Sequence, residues 1–172
     1  MLCELQLKIR EKDLNRRASI TLIAQGLLLA LIVLLAGNGR SYAQQADIKA
    51  AIDGFHAALT SLDMKKMDPI WAHESYVMLI NPNDKSISVG WDAVKKSWEA
   101  TFNAFAELKV TQTDGPNIHV NGNVAWATGL VNAQLKTKTG AAVTEDVFET
   151  DVFEKHGGGW LLVSHTALRT PK

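Results

Sequence analysis

The α+β fold class follows from three observations. Three long strand-like runs fill the last third of the chain, over residues 123–136, 142–155 and 160–168, with glycine-bearing turns between them. Two earlier stretches, 47–60 and 90–104, space their apolar residues by three and four instead of two. The order is therefore helix, helix, short hairpin, helix, then a long antiparallel sheet, a segregation typical of α+β chains.

The first 43 residues stand apart. Residues 1–17 carry Lys8, Arg10, Lys12, Arg16 and Arg17 against Glu4, Glu11 and Asp13, and 20–37 is apolar except for Thr21 and Gln25. Ser41 and Ala43 put small side chains at the two positions a signal peptidase reads. The expectation is a secretory signal peptide over 1–43, cut after Ala43, and a periplasmic or secreted protein. The apolar stretch is long for a signal core and short for a membrane span, so an uncleaved anchor is the alternative. That leader is the only membrane contact expected. Arg16-Arg17 resembles a twin-arginine signal with a poor continuation in Ala18-Ser19.

Residues 44–172 are then a single domain, 129 residues long and able to close a modest core. The one cysteine, Cys3, lies in the leader, so no disulfide is expected in the domain. Formal charge balances at 18 basic and 18 acidic residues, yet six of the basic and only three of the acidic ones precede Gln44. The domain is thus net acidic, which argues against nucleic-acid binding.

Within the domain, Ile48, Ala51, Ile52, Phe55, Ala58 and Leu59 form one apolar stripe at helical spacing. Asp63 can cap a second short helix through Ala72, with Met64, Met67, Ile70 and Trp71 on its apolar side. Residues 76–80 read as a short strand, ended by Asn81-Pro82-Asn83-Asp84, with 86–89 as its hairpin partner. Gly90-Trp91-Asp92 starts a third helix to about Ala104, with Val94, Trp98, Thr101, Phe102 and Phe105 inward. Residues 108–113 and 118–120 read as separate extended segments around Asp114-Gly115-Pro116-Asn117, and Asn121-Gly122 is the sharpest hairpin signal.

The first long strand has faces of unequal size. Trp126, Thr128, Leu130, Asn132 and Gln134 share one, while Ala125, Ala127, Gly129, Val131, Ala133 and Leu135 share the other. On the second, Val143, Glu145, Val147, Glu149, Asp151 and Phe153 share a face, so carboxylates that turn inward need partners. His156-Gly157-Gly158-Gly159 turns the chain into the third strand.

Taken together, the two N-terminal helices, Asn81-Pro82 in a hairpin, Gly90-Trp91-Asp92-Ala93-Val94, Asn121-Gly122-Asn123-Val124-Ala125-Trp126-Ala127, Phe153-Glu154-Lys155 and Trp160-Leu161-Leu162-Val163 form an ordered series. This series resembles the nuclear transport factor 2-like superfamily in its SnoaL-like or ketosteroid isomerase-like branch, over about residues 46–171. The resemblance implies a cone-shaped, curved antiparallel sheet packed on three helices, a pocket at the open end and a homodimer through the sheet. The isomerase chemistry does not carry over. Phe55 stands where that branch has its oxyanion-donating tyrosine, and Leu79 or Asn81 where it has its aspartate base; only Glu149 falls near its sheet acid. Moving a proton beside a carbonyl needs both a base and an oxyanion donor, so steroid isomerase activity is not expected. The kinase association-domain branch places two histidines after the tryptophan, where Ser164 and Thr166 stand here, with His165 between them and assigned to the opposite face.

Candidate chemistry rests on Glu149, Asp151 and His165. Two carboxylates two residues apart on one face can split their pKa values if buried together, with His165 as a base oriented across the strands. The plainer reading is an ion-pair network or a packing histidine. His73-Glu74 has the same two readings, a pocket mouth or a solvated helix end. The histidines form no His-x-His pair or His-Glu-x-x-His helix, so no metal and no cofactor are expected. Phe55, Trp71, Tyr76, Trp98, Phe102 and Trp126 could line a cavity for a small apolar molecule, with Asn132 and Gln134 as donors at its mouth. Three functions fit: a domain binding a small apolar ligand without turnover, an acid/base enzyme of isomerase, cyclase or dehydratase type, or a dimerisation module using the small Ala125-Ala127-Gly129 face.

Overall fold

A computed structural model describes residues 42–171 of the chain. The chain divides into two units, Met1–Ala43 and Gln44–Lys172, and the described elements belong almost wholly to the second. The expected leader lies almost entirely outside the described residues. No helix among the described residues is long and apolar enough to cross a membrane.

Helix α1 (42–61) buries Ile48, Ile52, Phe55, Ala58 and Leu59, the expected stripe, and with them His56. Leu62 ends it at φ +51, and its N–H bonds the carbonyl of Leu59. Asp63 then caps α2 (Met64–Met67) by accepting from the N–H of Lys65. The helical segment stops earlier than expected. A 3₁₀ turn, Asp68–Ile70, follows, and Trp71 is already extended, bridging to Leu162 of the sheet. Strands β1 (Met78–Ile80) and β2 (Ser88–Val89) form the short hairpin, and α3 (Trp91–Ala104) buries Val94, Trp98 and Phe102. Gly90 reaches φ +83 to start that helix, a conformation glycine adopts without strain.

The long strands are β3 (Phe105–Asn121), β4 (Val124–Thr137), β5 (Ala142–His156) and β6 (Gly159–Arg169). The expected break at 114–117 does not end β3. Gly115 at φ +79 and two register shifts against β4 absorb the breaker, and pairing resumes at Asn117. The sheet order is β2-β1-β6-β5-β4-β3. It is curved and unclosed, and antiparallel except that β1 runs parallel to β6, pairing Leu79 with His165.

A second bulge decides the function of β6. Opposite Val152 and Phe153, β6 advances from Leu162 to Ser164, leaving Val163 as an extra residue. A one-residue insertion reverses which face every later side chain takes. Trp160 and Leu162 point inward before it, and His165 and Ala167 point inward after it. The assignment of His165 to the opposite face from Trp160 is therefore corrected.

The inner face is the small one. Ala125 and Ala127 are buried under the helices, so the Ala125-Ala127-Gly129 face cannot be a surface for a second chain. The outer face carries Trp126, Phe148 and Leu168, all exposed.

Candidate functional site

The sheet outruns its helical cover. Helix α3 has 14 residues, about 21 Å at its rise per residue, whereas the 17 residues of β3 extend to roughly 56 Å before bulging and curvature. The uncovered inner face becomes a cavity of about 160 Å³.

Each inner strand passes from core to cavity. On β5, Phe153 and Asp151 are fully buried, Glu149 lies at the cavity floor, Val147 forms its wall and Glu145 its rim. On β6 the corresponding order is Leu162, His165, Ala167 and, beyond the wall, Arg169. Asp151 pairs directly with His165 in the ladder.

Four buried titratable groups meet at the floor. His165 Nδ1 bonds Asp151 Oδ1 at 2.7 Å and lies 3.8 Å from Glu149 Oε1. The other oxygen of Glu149, Oε2, takes a hydrogen bond from His56 Nε2 of α1 at 2.8 Å. Phe55 packs its ring against His165 with centroids 4.8 Å apart, and Trp98 flanks the same imidazole at 5.9 Å. With Nδ1 committed to Asp151, Nε2 of His165 is the ring nitrogen left for the cavity that this histidine lines.

These environments drive the groups apart. Burial pushes the Glu149 carboxyl up, but the hydrogen bond from His56 and the charges of His165 and His56 outweigh it, leaving it below its ordinary value. Asp151 ends above its ordinary value because burial dominates the opposing charge and hydrogen bond of His165, and Glu149 adds repulsion. Burial disfavours the His165 imidazolium, yet the charge and hydrogen bond of Asp151 and the charge of Glu149 raise it. Relative to their ordinary values, the floor favours the ionised form of Glu149 and the protonated form of His165.

Glu149, Asp151 and His165 also bring ligand-type atoms within 4.8 Å of one another. The His165 and Asp151 atoms in that group hydrogen-bond each other.

The expected catalytic trio is therefore brought together. Of the expected ligand-binding residues, Trp98 lines the cavity. Phe55 lies behind His165, and Trp71 and Phe102 pack against Trp98 in the core. Tyr76 is exposed and donates to Glu154 at 2.6 Å, which pushes its phenol up to about 12. Trp126 lies on the outer face, its ring 4.4 Å from that of His119. Asn132 is on that face too and donates to Asp146. Sequence reasoning missed His56, although it falls four residues after Ile52 and three before Leu59 on the apolar stripe of α1. It also gave Asn81, Pro82, Asn83 and Asp84 no ligand-binding role, whereas this loop forms the cavity mouth. Arg169 holds the loop there, donating to the carbonyl of Pro82, to Asn83 and to Glu145.

A helix-lined, curved sheet with a pocket at one end defines the nuclear transport factor 2-like fold, and solved structures agree. A nuclear transport factor 2-like protein from Salmonella enterica serovar Typhimurium superposes with a TM-score of 0.68 at 19% identity, over 74% of this chain and 91% of that one. A candidate dehydratase of the same fold family from Streptomyces avermitilis gives 0.67 at 21% identity, over 74% and 97%. A ketosteroid isomerase-like protein from Erwinia carotovora atroseptica gives 0.63 at 15% identity, over 74% and 96%. Residues 48–167 match the SnoaL-like domain, and the chain belongs to that family. No curated protein sequence matches it significantly.

Proposed function

We propose that this domain is an acid/base catalyst acting on a small molecule in the cavity. The observation that carries this reading is the His165–Asp151 pair beside Glu149, buried at the floor of the cavity against an apolar wall. Two neighbouring groups with pKa values driven in opposite directions supply an acid and a base at one pH. Glu149 is the base that takes a proton from carbon, and His165 Nε2–H donates to the carbonyl or departing hydroxyl oxygen. Asp151 positions His165, and His56 positions Glu149. The class is isomerisation, cyclisation or dehydration next to a carbonyl. His165 thereby supplies the electrophile that a tyrosine at the Phe55 position would have supplied.

A direct test follows deuterium incorporation beside the carbonyl of acetophenone and cyclohexanone in heavy water by NMR. The wild-type protein should accelerate exchange, and Glu149→Gln and His165→Gln should each lower the rate by about 100-fold or more with folding intact. Exchange at the background rate in the wild type, or unchanged in the variants, sinks the assignment. The alternative is a binding domain without turnover. It is favoured by the way the four floor groups satisfy one another, and it is the reading left if such ketones bind but do not exchange.

We also propose export through the leader, and a homodimer through the outer sheet face. Support comes from the leader's charge and apolar pattern and from exposed Phe148 and Leu168 with half-buried Leu130, paired across three strands.

A further inference from the structure

We infer that the cavity selects an uncharged, single-ring carbonyl compound and rejects both anions and fused polycyclic substrates. This inference rests on the floor groups proposed above as the reacting site and adds the chemical class they act on.

The size limit comes from volume. At about 160 Å³ the cavity matches an engineered apolar cavity of about 150 Å³ that binds benzene, and falls below the roughly 300–1,000 Å³ of pockets for drug-sized ligands. One six-membered ring with a short substituent fills it. A tetracyclic steroid would leave most of its skeleton in water, outside the Arg169-held loop.

The charge limit comes from the lining. Its charged or titratable side chains are Asp84, Glu145, Glu149 and His165, and no lysine or arginine is among them. The guanidinium of Arg169, the one arginine among the described residues, is committed to Glu145, Asn83 and Pro82 at the rim. A carboxylate, phosphate or phosphorylated carrier would meet the carboxylates of Asp84, Glu145 and Glu149, with only the imidazole of His165 to offset them.

The orientation follows from where polarity lies. Val131, Ala133, Leu135 and Val147 form one apolar wall, opposite the polar groups of His165 and Glu149 at the floor, with Thr101 and the unpartnered indole N–H of Trp98 contributed by α3. A ring packs against the wall, and its carbonyl oxygen meets His165 at the floor.

Acetophenone and benzoate have the same number of non-hydrogen atoms and differ in charge, so they isolate the two limits when compared with androstenedione. Titration of the domain, followed by calorimetry and ligand-observed NMR at neutral pH, should show acetophenone binding with a dissociation constant of about 1 mM or tighter. Benzoate should bind at least about tenfold more weakly, and androstenedione should give no signal. Ala133→Leu, which fills the hollow with apolar atoms, should abolish acetophenone binding while keeping the fold. Equal binding of benzoate overturns the charge limit, androstenedione binding overturns the size limit, and failure of acetophenone to bind overturns the class. Acetophenone binding that survives Ala133→Leu places the ligand elsewhere and overturns the site as well. Binding without deuterium exchange leaves the class standing and removes only the catalysis.

Discussion

Glu149 and Asp151 are two residues apart on one strand and both buried, yet they shift in opposite directions because Asp151 is the more enclosed and their partners differ. Glu149 receives His56 on one oxygen and lies near His165 on the other, whereas Asp151 has His165 alone. The consequence for stability has a definite sign. The depressed pKa of Glu149 contributes stability above its ordinary value of about 4.3, lost as pH falls through the lowered one. The raised pKa of His165 contributes stability that is complete below about 6.5 and lost as pH rises through the raised value. Asp151, also raised, adds to the decline with rising pH. The melting temperature should therefore fall at acid pH as the Glu149 contribution is lost and fall towards alkaline pH as that of His165 is lost, with a shallower alkaline fall in His165→Gln. A flat profile in the wild type contradicts this account. His56→Leu suits the apolar stripe but removes the donor to Glu149, so the acid limb of the exchange rate should move to higher pH. A merely structural His56 would lower the rate without moving that limb.

At the scale of elements, two irregularities build the site. The Val163 bulge returns His165 to the inner face, and the β1–β2 loop is drawn over the mouth by Arg169 at the end of β6. Arg169 is largely exposed, so Arg169→Ala should change stability by less than about 1 kcal/mol. Its effect should instead be local. Amide exchange over 81–87 should speed several-fold while that of 147–153 stays unchanged. No difference at 81–87 would mean that the loop holds its position by other contacts.

At the scale of the whole molecule, the sheet has one face covered by helices and one bare. Trp126 and Val152 pair on that outer face, as do Leu130 and Phe148, and Phe148 and Leu168. Such a surface suits pairing with a second copy, and light scattering should report a dimer that Phe148→Glu converts to a monomer with the melting curve otherwise retained. A wild-type monomer at micromolar concentration rules this out. For the leader, N-terminal sequencing of protein recovered from its host should begin at Gln44, and an intact Met1 means an uncleaved chain.

Helix stripes, glycine turns and strand alternation are local patterns, so the sequence determined the α+β order and grouped Glu149 with Asp151 on one face of β5. The same alternation misled at His165, because it assumes an unbroken register and nothing local marks Val163 as the bulged residue. Likewise, Asp114-Gly115-Pro116-Asn117 reads as a break, but pairing with β4 carries β3 through it. Which face of β4 turns inward was decided only by packing, where small residues let the helices approach and sent Trp126 and Asn132 outside. The union of His56 with Glu149 spans 93 positions in the chain. Tertiary structure alone made that contact, because burying a carboxylate demands a donor from whichever element lies across the core.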